Sequence, residues 1–156
     1  MNKMIDFKSN IPLIKEFLRL NREICGHVYN LNGNIVLYCE NVGSLKGEKM
    51  RGSCQHSKYS SVIWHTHPNI SLPYPSMEDI LKVIKPRNDS GLISTSYIFT
   101  SIGIWSIQGK KRIITPDVEE LVKKIVYDLH FIYKDRDKLK NYLKGVNSIE
   151  MDIINF

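Results

Sequence analysis

The sequence predicts a single α+β domain, and three observations lead to that expectation. The chain has 156 residues, of which 42% are hydrophobic, enough for one core and too few for two ordinary domains. Two apolar runs flank the turn pair Asn32-Gly33, as in a β-hairpin. A long stretch that follows Thr115 repeats its apolar residues at helical spacing.

The first half of the chain is predicted to contain a helix, a hairpin and an excursion. Asn10 followed by IPLIKEFLRL indicates a helix with proline in its first turn and an apolar stripe. REICGHVYNLNGNIVLYC indicates the hairpin, with Glu23 early in its first strand. Residues 41–60 carry few large apolar side chains, so we expect a surface excursion without a regular element.

The second half alternates short strand-like and helix-like runs. SVIWHTH reads as a strand, SMEDILKVIK as a capped helix, and SYIFTS with GIWSIQ as a strand pair. Thr115-Pro116-Asp117 opens the long amphipathic helix, whose pattern falters at 134–137, resumes through Leu139 and Leu143, and ends at Gly145. The tail at 146–156 has no assigned element.

Composition narrows the classes of function. The 22 lysines and arginines exceed the 16 aspartates and glutamates, which gives a net charge of +6 and would suit an acidic partner. Three cysteines without a C-x-x-C pair do not predict a disulfide scaffold and favour a reducing compartment. No stretch reaches the roughly 18 apolar residues of a membrane span. We expect a cytoplasmic protein with no membrane segment. Aromatic and basic residues do not interleave on one element, which argues against a nucleic-acid partner, and a DNA-repair-associated relative that uses the basic charge is the alternative.

The stretch IWHTHPNISLPYPSMEDI, at 63–80, concentrates the reactive side chains. Residues two apart in a strand share a face, so His65 and His67 point the same way while Thr66 points to the other side. Ser76 and Asp79, three apart on a first helical turn, also share a face. Two imidazoles and a carboxylate suit Zn²⁺ with its fourth position open, as in catalytic sites.

Each piece of this pattern also has an ordinary interpretation. A His-Thr-His segment is often a hydrogen-bonded strand pair, and Ser76 with Asp79 forms a reasonable helix N-cap. Neither interpretation accounts for the whole combination. Cys54 and His56 lie two apart in the excursion, but they lack neighbouring ligands and are expected to be ordinary loop residues.

The motif HTHP followed by Ser-x-x-Asp, with Glu-x-Cys-Gly upstream from Glu23, resembles the JAMM (MPN+) family of zinc metalloproteases. Members of that family remove ubiquitin or ubiquitin-like modifiers by hydrolysing isopeptide bonds. The resemblance covers most of the first 130 positions. It implies an MPN-like fold over residues 1–145, with a central mixed β-sheet flanked by helices.

The resemblance also implies a role for each motif residue. One zinc ion would be held by His65, His67 and Asp79, Glu23 would be the general acid/base, and Ser76 would help to stabilise the oxyanion. Cys25 and Gly26 match packing positions of the family. The chain departs from the pattern at one point, because eight residues separate His67 from Ser76 where the family usually has seven.

These observations lead to a zinc-dependent isopeptidase as the expected function. Zinc would lower the pKa of a bound water from about 15.7 to about 7, and the carboxylate of Glu23 would move the proton. The expected partners are conjugates of ubiquitin or a ubiquitin-like protein, and a regulatory protein is a further candidate. The alternatives are a bacterial or phage-type JAMM peptidase acting on another protein, and a non-catalytic MPN-fold binding module. We expect an extended modifier tail to add as a strand beside residues 65–68 and the excursion.

Overall fold

The computed structural model describes residues 11–20, 22–31, 34–45, 62–84, 95–109, 117–146 and 149–155, and for 34–45 the backbone alone. The elements in these ranges are α1 (Ile11–Arg19), β1 (Arg22–Leu31), β2 (Asn34–Leu45), β3 (Val62–Thr66), α2 (Met77–Ile84), β4 (Thr95–Thr100), β5 (Gly103–Gly109), α3 (Val118–Ile132), α4 (Arg136–Lys144) and β6 (Ile149–Ile154). The predicted order of helices and strands is confirmed from α1 to α3.

All six of these strands belong to one sheet with the order β2-β1-β3-β4-β5-β6. β3 and β4 are parallel and the other neighbours are antiparallel, so the sheet is mixed and the α+β class is confirmed. β1 and β2 form the predicted hairpin, in which Leu31 pairs with Asn34. The turn residues between them lie outside the described part of the chain.

The two faces of the sheet carry separate apolar clusters. In β3, Ile63 belongs to the larger cluster, which α2, α3 and α4 cover, whereas its neighbour Trp64 packs with α1 on the opposite face. This alternation is the period of two expected of a strand that is buried on both sides. Leu129 of α3 is fully buried, and burial of a side chain of this size contributes about 1.5–3 kcal/mol.

The faltering pattern at 134–137 marks a break between two helices. α3 ends at Ile132, and the Asp135 side chain accepts a hydrogen bond from Lys138 N at 3.2 Å to cap α4. An aspartate at this position stabilises a helix start because it accepts from an otherwise unpaired backbone N–H. The predicted end at Gly145 is confirmed, since this residue is the C-cap of α4.

Two segments differ from the sequence expectations. The tail forms β6 because Ile149, Met151 and Ile153 alternate with exposed residues, and this edge strand pairs with β5. The excursion was predicted to begin at residue 41, which is wrong, because β2 continues to Leu45. The rest of the excursion, with Cys54 and His56, lies outside the described residues.

Among the described helices, none combines the length and apolar composition needed to cross a membrane.

Candidate metal centre

The sheet fixes His65 in position. In β3 this residue pairs with Cys25 of β1 on one side and Ile98 of β4 on the other, and its side chain is buried. The following residue, Thr66, faces the opposite side, as predicted, and its Oγ1 accepts a hydrogen bond from Ile24 N at 2.9 Å. The imidazole therefore extends from a backbone that is held on both edges.

His67 lies just beyond β3 and is held by two hydrogen bonds. Its backbone N–H donates to Phe99 O at 2.9 Å, which prolongs the β3–β4 pairing by one residue. Its ring Nδ1 lies 3.1 Å from Leu72 O and must donate there, because a carbonyl oxygen only accepts. The other nitrogen, Nε2, is thereby left to face His65, the arrangement that orients histidine ligands in metal sites.

Asp79 and Ser76 form a reciprocal cap at the start of α2. Ser76 N donates to Asp79 Oδ2 at 2.8 Å, and Asp79 N donates to Ser76 Oγ at 3.2 Å. The ordinary interpretation of this pair as a helix cap is therefore confirmed. The cap also turns the Asp79 carboxylate toward the histidines, so it serves to position a site residue.

Three side chains converge at the end of β3. His65 Nε2 lies 3.2 Å from His67 Nε2, and the oxygens of Asp79 lie 3.1 Å and 3.0 Å from these two nitrogens. Ligand atoms about 2.0–2.1 Å from a tetrahedral zinc ion are separated by roughly 3.3 Å. The donor atoms are therefore spaced closely enough to share one small cation.

Glu23 completes the cluster from β1. Its Oε1 lies 3.9 Å from His65 Nε2, and one ligand atom from each of Glu23, His65 and His67 falls within 4.8 Å of the others. Both carboxylates can thus reach the two imidazoles, but the Asp79 oxygens approach them more closely. Glu23, His65 and His67 therefore form a group that can hold a metal ion, and the carboxylate of Asp79 contacts both imidazoles of that group.

The charges in the cluster alter its pKa values. Burial raises the pKa of Glu23, against the effect of the neighbouring histidines. Burial would also raise the pKa of Asp79, but the charges and hydrogen bonds of the two histidines hold it well below its usual range. Burial would lower the pKa of His67, but its hydrogen bond to Asp79 and the carboxylate charge raise it. Without a metal ion, hydrogen bonds join the Asp79 carboxylate to the two imidazoles, and a metal ion that binds these atoms would replace the shared hydrogens.

The donor set fits a divalent metal ion. Two imidazole nitrogens with a carboxylate suit zinc, and the same ligands also bind other transition metals, so the cluster does not identify the ion. The charge of Lys82, on the wall of a cavity beside the cluster, acts against the rise in the pKa of Glu23. Glu23, His65 and His67 lie close enough together to hold a metal ion through oxygen and nitrogen.

A cavity of 530 Å³ opens beside the cluster. Glu23, His67, Ser76 and Asp79 all line it, so these side chains border a space that another molecule can enter. The Ser76 hydroxyl accepts from Asp79 N, and this bond does not use the hydroxyl hydrogen. Ser76 is exposed and can donate that hydrogen into the cavity.

Sequence reasoning missed two contributions to this region. The carbonyl of Leu72 orients His67, but a backbone oxygen leaves no trace in the residue types. The side chains of Ile70 and Leu72 line the cavity, and here a signal existed. Two large aliphatic residues stand in a loop otherwise rich in serine, proline and asparagine, and both are exposed in the structure.

Two expectations near the cluster need correction. The cysteine count did not predict a disulfide framework, yet Cys25 is disulfide-bonded as well as fully buried. The expectation that a modifier tail adds as a strand fails at His65, because β3 pairs there with both β1 and β4, and the excursion at 46–61 that was expected to help hold the tail lies outside the described residues. His67 N is also occupied by Phe99 O.

Comparison of the chain with protein-family models, with curated proteins and with solved structures finds no significant match. The function therefore has to be inferred from the chemistry of the cluster and its cavity.

Proposed function

We propose that the protein is a JAMM-like zinc metallopeptidase that hydrolyses the isopeptide bond between a ubiquitin-like modifier and a lysine amine. The observation that carries this proposal is the convergence of His65, His67 and Asp79 within 3.0–3.2 Å, beside an open cavity. A metal site that serves structure alone is closed by its ligands, whereas three ligands at a cavity leave a position open.

The chemical roles follow from the groups that border the cavity. Zinc at such a site supplies a Lewis acid, which polarises a carbonyl group and makes water a better nucleophile at neutral pH. We assign His65, His67 and Asp79 to hold the ion. The reciprocal cap of Asp79 with Ser76 and the bond from His67 to Leu72 O keep two of these ligands oriented.

Glu23 is the group that moves the proton in this proposal. Its carboxylate accepts a proton from water as the water oxygen attacks the amide carbon. It then donates that proton to the lysine nitrogen as the C–N bond breaks. The raised pKa of Glu23 suits both steps, because an acid/base group works best when its pKa approaches the working pH.

Ser76 has the supporting role of stabilising the oxyanion. Its hydroxyl accepts a hydrogen bond from Asp79 N, which fixes the oxygen while the hydrogen stays available. Donation of that hydrogen to the developing negative charge stabilises the transition state more than the neutral amide.

The test combines metal analysis with cleavage of defined substrates. The zinc-loaded chain is incubated with isopeptide-linked di-ubiquitins, with ubiquitin-like conjugates and with a short unstructured peptide, and the products are identified by mass spectrometry. Release of a modifier with a free C-terminal carboxylate is expected. Cleavage of the peptide alone would favour a general peptidase, and full zinc loading with no cleavage would favour a binding module.

A further inference from the structure

Three consecutive residues of the loop between His67 and α2 are tied to different parts of the molecule. Leu72 O accepts a hydrogen bond from His67 Nδ1 at 3.1 Å, and Pro73 O accepts one from Trp105 Nε1 at 3.0 Å. The third residue, Tyr74, is buried, and its hydroxyl lies 2.8 Å from a histidine nitrogen of α3. The first contact therefore reaches the candidate centre, whereas the other two reach the core.

Trp105 is a rigid anchor because both edges of its strand are paired. In β5 it pairs with Ile98 of β4 on one side and with Ile153 of β6 on the other, and its side chain is fully buried. Ile98 also pairs with His65, so His65 and Trp105 stand in one row across the sheet and on the same face. The bond from Trp105 therefore ties the loop to the row of the sheet that carries a candidate ligand.

The backbone between the two loop carbonyls has little freedom. The peptide bond that joins Leu72 to Pro73 is planar, and the pyrrolidine ring of Pro73 fixes φ at about −65°. Among the torsions that separate Leu72 O from Pro73 O, only ψ of Pro73 is soft. Because Trp105 holds Pro73 O, it also restricts the position of Leu72 O, the acceptor for His67 Nδ1.

We propose that Trp105 is a positioning residue of the candidate metal centre, whose indole N–H acts through Pro73 and Leu72 to hold the imidazole ring of His67. This inference rests on the proposed function in one respect, because it takes His67 as a ligand of the ion. A histidine ring turns about its bond to Cβ unless its second nitrogen has a fixed partner. Such partners of metal ligands typically contribute roughly 10- to 100-fold to metal affinity, and Trp105 fixes the partner of His67.

The most selective test removes the indole hydrogen and keeps the shape of the ring. A benzothienyl analogue of tryptophan, in which sulfur replaces the N–H group, is incorporated in place of Trp105 alone. Solvent exchange of the His67 Nδ1–H proton is then measured by NMR in the metal-free chain. Exchange should be roughly 2- to 10-fold faster than in the parent chain, the range expected for the loss of one neutral hydrogen bond. Unchanged exchange would overturn the proposal.

Zinc affinity provides the second readout. Competition with a chelator should show roughly 10-fold weaker zinc binding in Trp105→Phe, at the lower end of the effect of residues that support a ligand. Trp64→Phe is the matched control, since Trp64 is also buried but packs on the opposite face of the sheet. It removes the same ring volume next to His65 in the sequence. Equal losses of affinity in the two variants would assign the effect to core packing and overturn the proposal.

Neither readout requires hydrolysis, so failure of this inference and failure of the proposed function are distinguishable. Faster exchange and weaker zinc binding, with no cleavage of any conjugate by the parent chain, would contradict the hydrolase and keep the role of Trp105. Cleavage by the parent chain with unchanged exchange in the analogue would do the reverse. Undiminished zinc affinity in His67→Ala would overturn both, because the ring that Trp105 is proposed to position would then not be a ligand.

Discussion

Asp79 and Asp128 each contact two side chains, but the partners of Asp79 are imidazole rings and those of Asp128 are an ammonium group and a phenol. Asp79 lies 3.1 Å and 3.0 Å from the Nε2 atoms of His65 and His67, and only 7% of its side chain is exposed. A neutral imidazole nitrogen can offer a lone pair, so each proton in this group can be exchanged for a bond to a metal ion.

Asp128 belongs to a network that is already satisfied. It accepts from Lys124 Nζ at 2.9 Å and from Tyr142 Oη at 2.7 Å, on a surface where 23% of its side chain is exposed. The ammonium group has no lone pair to offer a cation, and the phenol donates its hydrogen to the carboxylate, so Asp128 stands beside a positive charge and not beside nitrogen ligands. Buried lone-pair donors that converge therefore distinguish the candidate centre from an ordinary acidic surface residue.

Of the substitutions that test the difference between Asp79 and Asp128, those that remove a ligand should have the largest effect, and the effect should be on zinc affinity. Asp79→Ala removes a ligand atom and should weaken zinc binding by more than the roughly 10- to 100-fold typical of residues that merely support a ligand. His67→Ala should do the same. Asp128→Ala is the matched control and should bind zinc as the parent chain does. The check is a zinc titration against a competing chelator, and equal affinities for the two aspartate variants would contradict the account.

Glu23→Gln should separate the binding of the ion from the proton transfer. The amide keeps the size of the side chain but cannot accept a proton, so turnover should fall by about 10²- to 10⁴-fold. Zinc content and thermal unfolding should change little. Steady-state kinetics on the zinc-loaded variant provide the measurement, and a normal rate would assign the general base to another residue.

Ser76→Ala should have an intermediate effect because the residue has two contacts to lose. Loss of an oxyanion donor lowers kcat by roughly 10²- to 10³-fold. Loss of the N-cap destabilises the fold by about 0.5–2 kcal/mol. Ser76→Asp is the informative companion, since aspartate caps a helix well but carries no hydrogen for the oxyanion at neutral pH. Restored stability without restored turnover is expected, and recovery of both would limit Ser76 to capping.

The smallest effect concerns Asp128 and its dependence on pH. The hydrogen bond from Lys124, followed by that from Tyr142, lowers the pKa of Asp128 below its usual value. The stabilisation is therefore complete above about pH 4, the ordinary value for aspartate, and is lost as the pH falls through the folded-state pKa. Asp128→Asn should cost less than about 1 kcal/mol at pH 7, as for exposed pairs. Urea unfolding at pH 7 and pH 3 checks this, and a difference that grows in acid would contradict it.

The sequence was informative where a side-chain pattern repeats. Apolar periodicity located α1, α3 and the central strands, and the two-residue spacing of His65 and His67 placed both rings at one end of the sheet. The Ser-x-x-Asp spacing predicted both a cap and a carboxylate that turns back toward β3, and the two occur together.

The parts that could not be predicted depend on contacts between distant segments. The path of the whole sheet gives β3 a neighbour on each side, so the run SVIWHTH alone could not show that both edges of His65 are paired. The alternation of Ile149, Met151 and Ile153 was visible in the tail, but without β5 beside it the segment was too short to assign. The orientation of His67 depends on the carbonyl of Leu72 and has no counterpart in residue type.

X-ray absorption at the zinc edge of the loaded chain tests the central claim most directly, because it reports the atoms bound to the metal. Ligation by His65, His67 and Asp79 predicts two imidazole nitrogens and light oxygen ligands at about 2.0–2.2 Å, with no sulfur shell. In His67→Ala the imidazole signal should halve or the zinc should be lost. A sulfur shell near about 2.3 Å, or an unchanged spectrum in His67→Ala, would place the metal elsewhere in the chain and contradict the account.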